Sequence, residues 1–482
     1  MGLLGILFAL GLLVWFAFKG WSVLLLAPAA ALIAAFFSGE PLLAHWTQTF
    51  MGSVAQFLAQ FFPIFLLGAL FGKLMEDSGS VAAISAFMTE RLGEKRAILA
   101  VVLAGAIVTY GGVSLFVAFF VLAPMARTLF TTAGVPLRLM PAAIVLGTST
   151  FTMSALPGTP AIQNAIPMPF FGTTPFAAPG LGVIASSIML GFGMWWLTRA
   201  QEFGRDDDKA LSPLGAMKDA ASNERVRELA TTAREFDPAE IGKSRQSDLL
   251  PPIFLAALPL IVVVGVNFLM SMIVLPRLNT EFLAEPRWGA VTLTSVGGVW
   301  AVVSALFFAI VTLIITNRSR LPALRESMDA GANASVLPAF SVASLVGFGA
   351  VVAALPPFAM VRDWVLSIGG GPLVSLAVAT NILSALTGSA SGGLTIALDA
   401  LGPTYMKLAA QNGIDPALMH RVAVIGSGTL DSLPHNGAVV SLLAVCGLTH
   451  KESYFDMVMV AIVGAILALV AVILLGSGLG SF

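Results

Sequence analysis

The sequence predicts an all-α polytopic membrane protein with two inverted structural repeats. Its 482 residues are 57% hydrophobic and 11% charged, whereas soluble proteins carry about 25% charged residues. Apolar runs recur along the chain, and a spanning helix needs about 20 mostly apolar residues. Short polar segments rich in glycine and proline interrupt these runs in both halves, at positions 277–281 residues apart. This pattern indicates one structural unit that occurs twice.

Composition also argues against several classes of protein. The net charge of −1 argues against a nucleic-acid partner. The single cysteine, Cys446, lies in an apolar run, which predicts neither a disulfide framework nor a cysteine metal cluster. No cofactor is expected. The first apolar run, Gly2–Phe18, lacks a basic leader and a clear cleavage site, so we interpret it as a retained span.

The first predicted repeat, residues 1–197, contains four spans, one hairpin and one broken span. Residues 97–130 are too long for a single crossing and contain a glycine-rich polar turn, which predicts a re-entrant helical hairpin. Pro157 and Pro160 remove backbone donors within residues 139–171, which predicts a broken span. The other spans are predicted at Gly2–Phe18, Trp21–Phe37, Gly52–Leu74 and Pro179–Leu197.

Residues 198–249 have the composition of a solvated loop. They contain nine Lys/Arg and eleven Asp/Glu residues but few large apolar side chains. We interpret them as a cytoplasmic linker with a short helix around Asn223–Glu235, and a regulatory role is the alternative.

The second predicted repeat, residues 250–482, has the same plan. An interrupted apolar run predicts a second re-entrant hairpin at residues 371–403, which turns at Thr387–Gly393. Pro434 interrupts the second broken span, residues 416–448. The other spans are predicted at Leu250–Met270, Gly289–Thr316, Gly331–Pro356 and Tyr454–Leu479.

Lysine and arginine positions predict the orientation of the chain. Basic residues tend to remain cytoplasmic, which assigns Lys19 and the segments 91–96, 199–245 and 318–325 to that side. Counting the spans in order then predicts that the first hairpin enters the membrane from the cytoplasm and that the second enters from the opposite side. We therefore expect inverted repeats in a bacterial-type inner membrane, with both termini in the periplasm.

The interrupted segments carry the candidate substrate site. In inverted-repeat transporters such segments meet near the bilayer midplane, where helix N-termini face an anionic substrate. Hydroxyl groups, amides (Gln163 among them) and closely approaching glycines could bind a carboxylate there without any lysine or arginine. For a single serine or threonine, a bond to its own helix is the alternative. The candidate substrate-binding residues are Gly111, Gly112, Ser114, Thr152, Ser154, Gly158, Thr159, Asn164, Ser389, Ser391, Gly392, Gly393, Ser432, His435 and Asn436.

Asp431 and His435 are also the candidate residues for a coupling ion. They lie four residues apart in the middle of the second broken span, where an ionisable side chain is costly to bury. Asp431 is a candidate proton carrier or Na⁺ ligand, and helix capping is the alternative. Lys73, Glu76 and Asp77 are interpreted as an ordinary polar helix end at a membrane surface.

Four motifs resemble the gluconate permease (GntP) family of the ion-transporter superfamily. They are Gly68–Gly79, Gly111–Pro124, Leu156–Pro160 and Gly426–Thr429. The resemblance covers nearly the whole chain. It implies an elevator-type fold with a scaffold and a transport domain, and uptake of a small organic carboxylate, usually with protons. Relatives of this kind are often dimers, so a homodimer in the lipid bilayer is expected.

Departures from the family pattern narrow the expected substrate. Gluconate carriers have Glu-Val-Gly-Phe at the first hairpin tip and Pro-His-Pro-Gly-Pro in the first broken span. Here these segments read Tyr110-Gly-Gly-Val-Ser114 and Ala155-Leu-Pro-Gly-Thr159. The missing carboxylate and imidazole favour a smaller, less hydroxylated acid, and Thr429–Gly437 resembles the β-hydroxybutyrate permease branch.

The expected function is therefore cation-coupled symport of 3-hydroxybutyrate or a similar hydroxy- or ketocarboxylate. Either H⁺ or Na⁺ could be the coupling ion. A gluconate or sugar-acid:H⁺ symporter is the alternative within the family. An intramembrane enzyme that uses Asp431 and His435 is the alternative from another class, but no nucleophile motif or metal-ligand cluster accompanies these residues.

Overall fold

The computed structural model describes residues 2–18, 21–203, 250–434 and 436–482. Every regular element in these ranges is helical, which confirms the all-α prediction. The helices of the first half are α1 (Gly2–Phe18), α2 (Val23–Ser38), α3 (Leu42–Asp77), α4 (Ser80–Leu92), α5 (Ala97–Tyr110), α6 (Leu115–Ala133), α7 (Met140–Thr148), α8 (Phe151–Ser154), α9 (Ile162–Ala165), α10 (Pro167–Phe171) and α11 (Pro179–Phe203).

The second half contains nine further described helices. They are α12 (Ile253–Arg277), α13 (Leu293–Thr316), α14 (Leu324–Ala354), α15 (Phe358–Leu366), α16 (Pro372–Thr387), α17 (Ala390–Asn412), α18 (Pro416–Ser427), α19 (Gly437–Cys446) and α20 (His450–Leu479). Short 3₁₀ segments occur between several of them.

Six of the described helices are long and apolar enough to cross a membrane, namely α3, α11, α12, α13, α14 and α20. Large apolar side chains remain exposed on their outer faces, including Phe254 at 66%, Ile315 at 71% and Leu474 at 68%. Such faces suit contact with lipid tails, which are as apolar as leucine.

Two helix pairs form hairpins. Helices α5 and α6 pack against each other and are joined by the first tip, residues 111–114. Helices α16 and α17 pack in the same way and are joined by the second tip, Gly388 and Ser389. Gly112 has φ +97° and Gly388 has φ +66°, conformations that glycine adopts without strain.

Two apolar stretches are divided into short helices at their prolines. In the first, Gly158 (φ +81°) and its flanking prolines separate α8 from α9, because proline cannot donate a helical hydrogen bond. In the second, a 3₁₀ turn at Leu430–Ser432 and Pro434 separate α18 from α19. Helix α19 begins after Asn436, whose Oδ1 accepts from the backbone N–H groups of Ala438 and Val439.

Several element bounds differ from the sequence predictions. Helix α3 begins at Leu42, ten residues before the predicted span, and α4 and α15 were not predicted. Helix α17 continues through Pro403 to Asn412, so its second arm is longer than the predicted hairpin. The predicted short helix around residues 223–235 lies outside the described residues.

Candidate functional site

The first tip and the first broken segment line a void between the helices. This void, called the large cavity, has a volume of about 190 Å³. Helices α3 and α14 supply its apolar walls, and Ser391 of the second hairpin also reaches it. Its lining residues are Ile64, Phe65, Gly68, Ala69, Thr109, Gly112, Val113, Ser114, Leu115, Thr148, Met153, Pro160, Ala161, Ile162, Gln163, Ser335, Pro338, Val342 and Ser391.

Two helix N-termini reach the large cavity, one from each hairpin. Helix α6 begins at Leu115 and α17 begins at Ala390, next to the lining residue Ser391. The first N–H groups of a helix lack intrahelical partners, and the dipole is positive at that end. The large cavity therefore suits an anion, although none of its described lining residues is ionisable.

Polar side chains on the large cavity fall into two groups. Thr109 and Thr148 donate to carbonyls of their own helices, Gly105 O and Ile144 O, each at 2.8 Å. By contrast, the side chains of Ser114 and Gln163 form no hydrogen bond with any other residue that the structure describes. These two groups are available to a ligand.

A second void, called the small cavity, adjoins the large one and has a volume of about 20 Å³. Leu115, Met153 and Gln163 line both voids. The small cavity is lined by Leu115, Phe119, Val145, Ser149, Met153, Gln163, Asp431, Ser432, Asn436, Ala438 and Val439. It thus joins the first hairpin and first broken segment to the second broken segment.

The predicted site residues divide between these voids and the surrounding protein. Gly112, Ser114 and Ser391 line the large cavity, and Asp431, Ser432 and Asn436 line the small one. His435 lies outside the described residues. The remaining predicted residues line neither void: Gly111, Thr152, Ser154, Gly158, Thr159, Asn164, Ser389, Gly392 and Gly393.

Several of these remaining residues have partners within the protein. Thr152 Oγ1 donates to Gly147 O or Thr148 O, and Ser154 Oγ donates to Thr150 O. Asn164 Nδ2 donates to the carbonyls of Thr159 and Pro175, both at 3.0 Å. These bonds hold the unwound segment in shape.

The glycines serve close packing of protein more than approach to a ligand. A Cβ on Gly111 would meet the Leu260 side chain, and one on Gly393 would meet the backbone of Ser384 in α16. Gly392 and Gly393 lie inside α17, so the second turn contains only Gly388 and Ser389, not the whole of 387–393. Gly112 differs, because it lines the large cavity and a Cβ there would lie 2.9 Å from Pro160 Cγ.

A buried histidine–arginine pair that the sequence reasoning missed connects the two broken segments. Arg421 of α18 is 0% exposed, and its guanidinium donates to Ala177 O at 2.6 Å and to Ser154 O at 3.4 Å. His420 Nε2 lies 3.2 Å from Asn164 Oδ1. Arg421 lies within the second predicted broken span, but it lines neither of the two voids. Neither side chain lines the large cavity, so both act on the shape of the first segment.

Comparison with known proteins agrees with the motifs of the sequence. The family model described as "GntP family permease" matches residues 1–169. The "Uncharacterized transporter YxjC" of Bacillus subtilis (strain 168) is 39% identical over 481 residues, which cover 98% of each chain. The chain belongs to the GntP permease family. It is therefore a multi-pass membrane transporter.

Two solved transporters resemble this GntP permease more distantly. The YdaH transporter of Alcanivorax borkumensis is 17% identical with a TM-score of 0.46, over 91% of this chain and 89% of the other. MtrF of Neisseria gonorrhoeae, whose title refers to "a Class of Antimetabolite Efflux Pumps", is 15% identical with the same TM-score of 0.46, over 90% and 85%.

The charged end of α3 in this GntP permease is buried, which corrects the prediction of a helix end at a membrane surface. Lys73 Nζ lies 3.0 Å from Asp77 Oδ1 and 3.4 Å from Glu76 Oε2, and all three residues are at most 7% exposed. Helix α14 covers them, because Gly331 allows its backbone to approach Leu70 and Lys73. Burial by a helix so distant in sequence is not visible in the local residue pattern.

Proposed function

We propose that this permease imports a short hydroxy- or ketocarboxylate, with 3-hydroxybutyrate as the first candidate, by cation-coupled symport. The large cavity is the observation that carries the proposal. Its volume of about 190 Å³ is below the roughly 300–1,000 Å³ of pockets for drug-sized ligands. A short acid with one hydroxyl matches this volume better than a long polyhydroxylated acid such as gluconate.

The polar groups on the large cavity match such an acid. The N-terminus of α6 suits a carboxylate, because it offers N–H groups without a side-chain cap and a positive dipole end. The Ser114 hydroxyl and the Gln163 amide can each donate and accept, so they can bind the carboxylate and the substrate hydroxyl. Ile64, Phe65 and Val342 suit the short aliphatic part.

The proposal includes an alternating-access mechanism. Two inverted repeats, residues 1–197 and 250–482, would form an elevator-type transport domain and a scaffold, as a homodimer in the inner membrane with periplasmic termini. The paired hairpins and paired broken segments support this arrangement, since both pairs meet at the two cavities. Asp431 on the small cavity supports coupling to a cation.

Uptake into proteoliposomes tests the proposal. We expect labelled 3-hydroxybutyrate to enter saturably and to accumulate when an inward cation gradient is imposed, and other short hydroxy- or ketocarboxylates to compete. Protein-free liposomes are the control. Preferential accumulation of gluconate would support the sugar-acid alternative instead, and failure to transport every short carboxylate would contradict the proposal.

A further inference from the structure

We propose that Met153 sets the length of the acid that this permease accepts, because its side chain separates the large cavity from the small one. A shorter side chain at this position would join the two voids and extend the binding space toward longer, polyhydroxylated acids. The inference rests on the proposed function, since it assigns the residue that restricts binding to short acids.

Three side chains lie between the two voids, because each of them lines both: Leu115, Met153 and Gln163. Leu115 is the first residue of α6, and Gln163 carries an amide that is available to the substrate. Met153 has neither of these tasks, and its apolar side chain is 7% exposed. It is therefore the separating residue that can be shortened without a direct change to the groups that bind the carboxylate.

The backbone around Met153 is held by bonds that do not involve its side chain. Met153 belongs to α8, a helix of four residues. On its two sides, Thr152 Oγ1 donates to Gly147 O and Ser154 Oγ donates to Thr150 O, each at 3.0 Å. A smaller residue at position 153 should thus leave α8 in place and enlarge the space beside it.

The end of the Met153 side chain reaches the second broken segment. A Cβ on Gly428, which ends α18, would lie 3.7 Å from Met153 Cε. Replacement by alanine removes Cγ, Sδ and Cε, the atoms that extend between the two broken segments. Because protein interiors relax only partly around such a deletion, much of this space should remain open.

The lining of the small cavity favours a hydroxylated chain once the voids are joined. Ser149 Oγ shares a hydrogen bond with Thr148 Oγ1 at 3.1 Å, and Ser432 Oγ donates to Asp431 Oδ1 at 3.2 Å. A hydroxyl oxygen has two acceptor lone pairs in addition to its one hydrogen. The oxygens of both serines can thus accept from the hydroxyl groups of a longer acid, whereas an aliphatic chain would gain no such bond.

Binding of three acids to the purified protein tests the inference. 3-Hydroxybutyrate is the short acid, gluconate is the long hydroxylated acid, and hexanoate has the chain length of gluconate without its hydroxyls. Each affinity is measured by titration at one pH and one salt concentration. We expect the wild type to bind 3-hydroxybutyrate more tightly than either of the longer acids.

Three substitutions of Met153 change the size of the separating side chain. Met153→Ala should raise the affinity for gluconate relative to 3-hydroxybutyrate at least about tenfold, since one methylene in an apolar pocket already changes discrimination about 10–200-fold. Hexanoate should gain less than gluconate. Met153→Leu conserves side-chain volume and should keep the wild-type ratio. Met153→Val should shift the ratio by a smaller factor, which provides the measurement if the alanine variant folds poorly.

The matched control is Met189→Ala, at a fully buried methionine of α11 that lines neither cavity. It loses the same atoms from the interior of the protein, but it should leave the ratio of affinities for gluconate and 3-hydroxybutyrate unchanged.

The outcomes separate this inference from the proposed function. If the folded Met153 variants keep the wild-type ratio, or if Met189→Ala shifts it as strongly, the role of Met153 is refuted and the proposed function stands. An equal gain for hexanoate would refute the contribution of the small cavity. If the wild type binds gluconate as tightly as 3-hydroxybutyrate, the length limit is refuted. If no short carboxylate binds to the wild type, the proposed function fails and this inference fails with it.

Discussion

The two hairpin tips, one in each half of the chain, differ in how their polar groups are bonded. At the first tip, Ser114 precedes α6 but its hydroxyl makes no capping bond, and the tip lines the large cavity. At the second tip, Ser389 Oγ accepts from the backbone N–H of Gly392 at 3.1 Å. In addition, Asn436 Nδ2 donates to Gly388 O at 2.8 Å.

The difference shows that two helical hairpins of the same design can have different roles. One tip can provide a binding surface, and the other can be held rigidly by bonds within the protein. The second tip is satisfied by the protein, so it needs no ligand. The first tip leaves the start of α6 without a side-chain partner beside a cavity, and unsatisfied buried groups are costly. A substrate carboxylate would complete the bonding of the first tip, and the second tip would hold one side of the site in place.

The largest effect is expected from Gly112→Ala at the first tip. The φ of +97° there is strained for alanine by about 1–2 kcal/mol. The new Cβ would also lie 2.9 Å from Pro160 Cγ, so Pro160, which lines the cavity, must move. Together these changes should lower substrate affinity about 100-fold, which corresponds to about 2.8 kcal/mol. Titration of the purified variant with 3-hydroxybutyrate measures the loss.

The control for this variant is Gly413→Ala. Gly413 ends α17 with φ +65°, and a Cβ there would have open space around it. It should suffer backbone strain but retain substrate affinity. If Gly413→Ala lost affinity as strongly as Gly112→Ala, backbone strain and not the geometry of the first tip would explain the result.

The interruptions themselves could be predicted from sequence, because their causes are local. Pro157, Gly158 and Pro434 lie where helices are interrupted, and Gly112 and Gly388 allow sharp turns. Proline alone does not decide the matter, because α17 continues through Pro403. The same reasoning predicted a second turn that is too long, because it included residues 390–393, which are helical. Gly393 is in fact a helical residue whose missing Cβ makes room for the backbone of Ser384.

The rest of the site could not be predicted, since it depends on contacts between distant segments. The sequence singled out many hydroxyls equally, but only the structure separates Ser114 from threonines that bond to their own helices. It also shows that Gln163 lines two voids. Arg421 and Lys73 resemble surface residues in sequence, and the surrounding helices bury them completely or nearly so.

A pair of serine variants should sharpen the contrast between the tips with an intermediate effect. Ser114→Ala should lower substrate affinity about tenfold, since a hydrogen bond to a charged group contributes about 1.5–3 kcal/mol, and leave the melting temperature unchanged. Ser389→Ala should instead destabilise the protein by about 1 kcal/mol through loss of the α17 cap. Thermal unfolding and substrate titration of both variants measure the two effects. The proposed difference between the two tips is contradicted if the Ser114→Ala variant unfolds more easily than the wild type and binds the substrate with normal affinity.

The smallest effect is expected from Asn436→Ser, which separates the two bonding roles of Asn436. Serine is also a good N-cap residue, so the start of α19 should remain capped, but its shorter side chain cannot reach Gly388 O. Loss of this one bond, worth about 1 kcal/mol, should lower substrate affinity by about fivefold or less and speed hydrogen exchange around residues 387–390.

Asn436→Ala is the matched comparison, because it loses the cap as well as the bond to Gly388. It should show the same faster exchange at the second tip, with additional exchange at the first turn of α19. If Asn436→Ser leaves exchange at residues 387–390 unchanged, the second tip is held by its own Ser389 cap. Its fixed position would then not depend on the second broken segment, and the two tips would differ only in their caps.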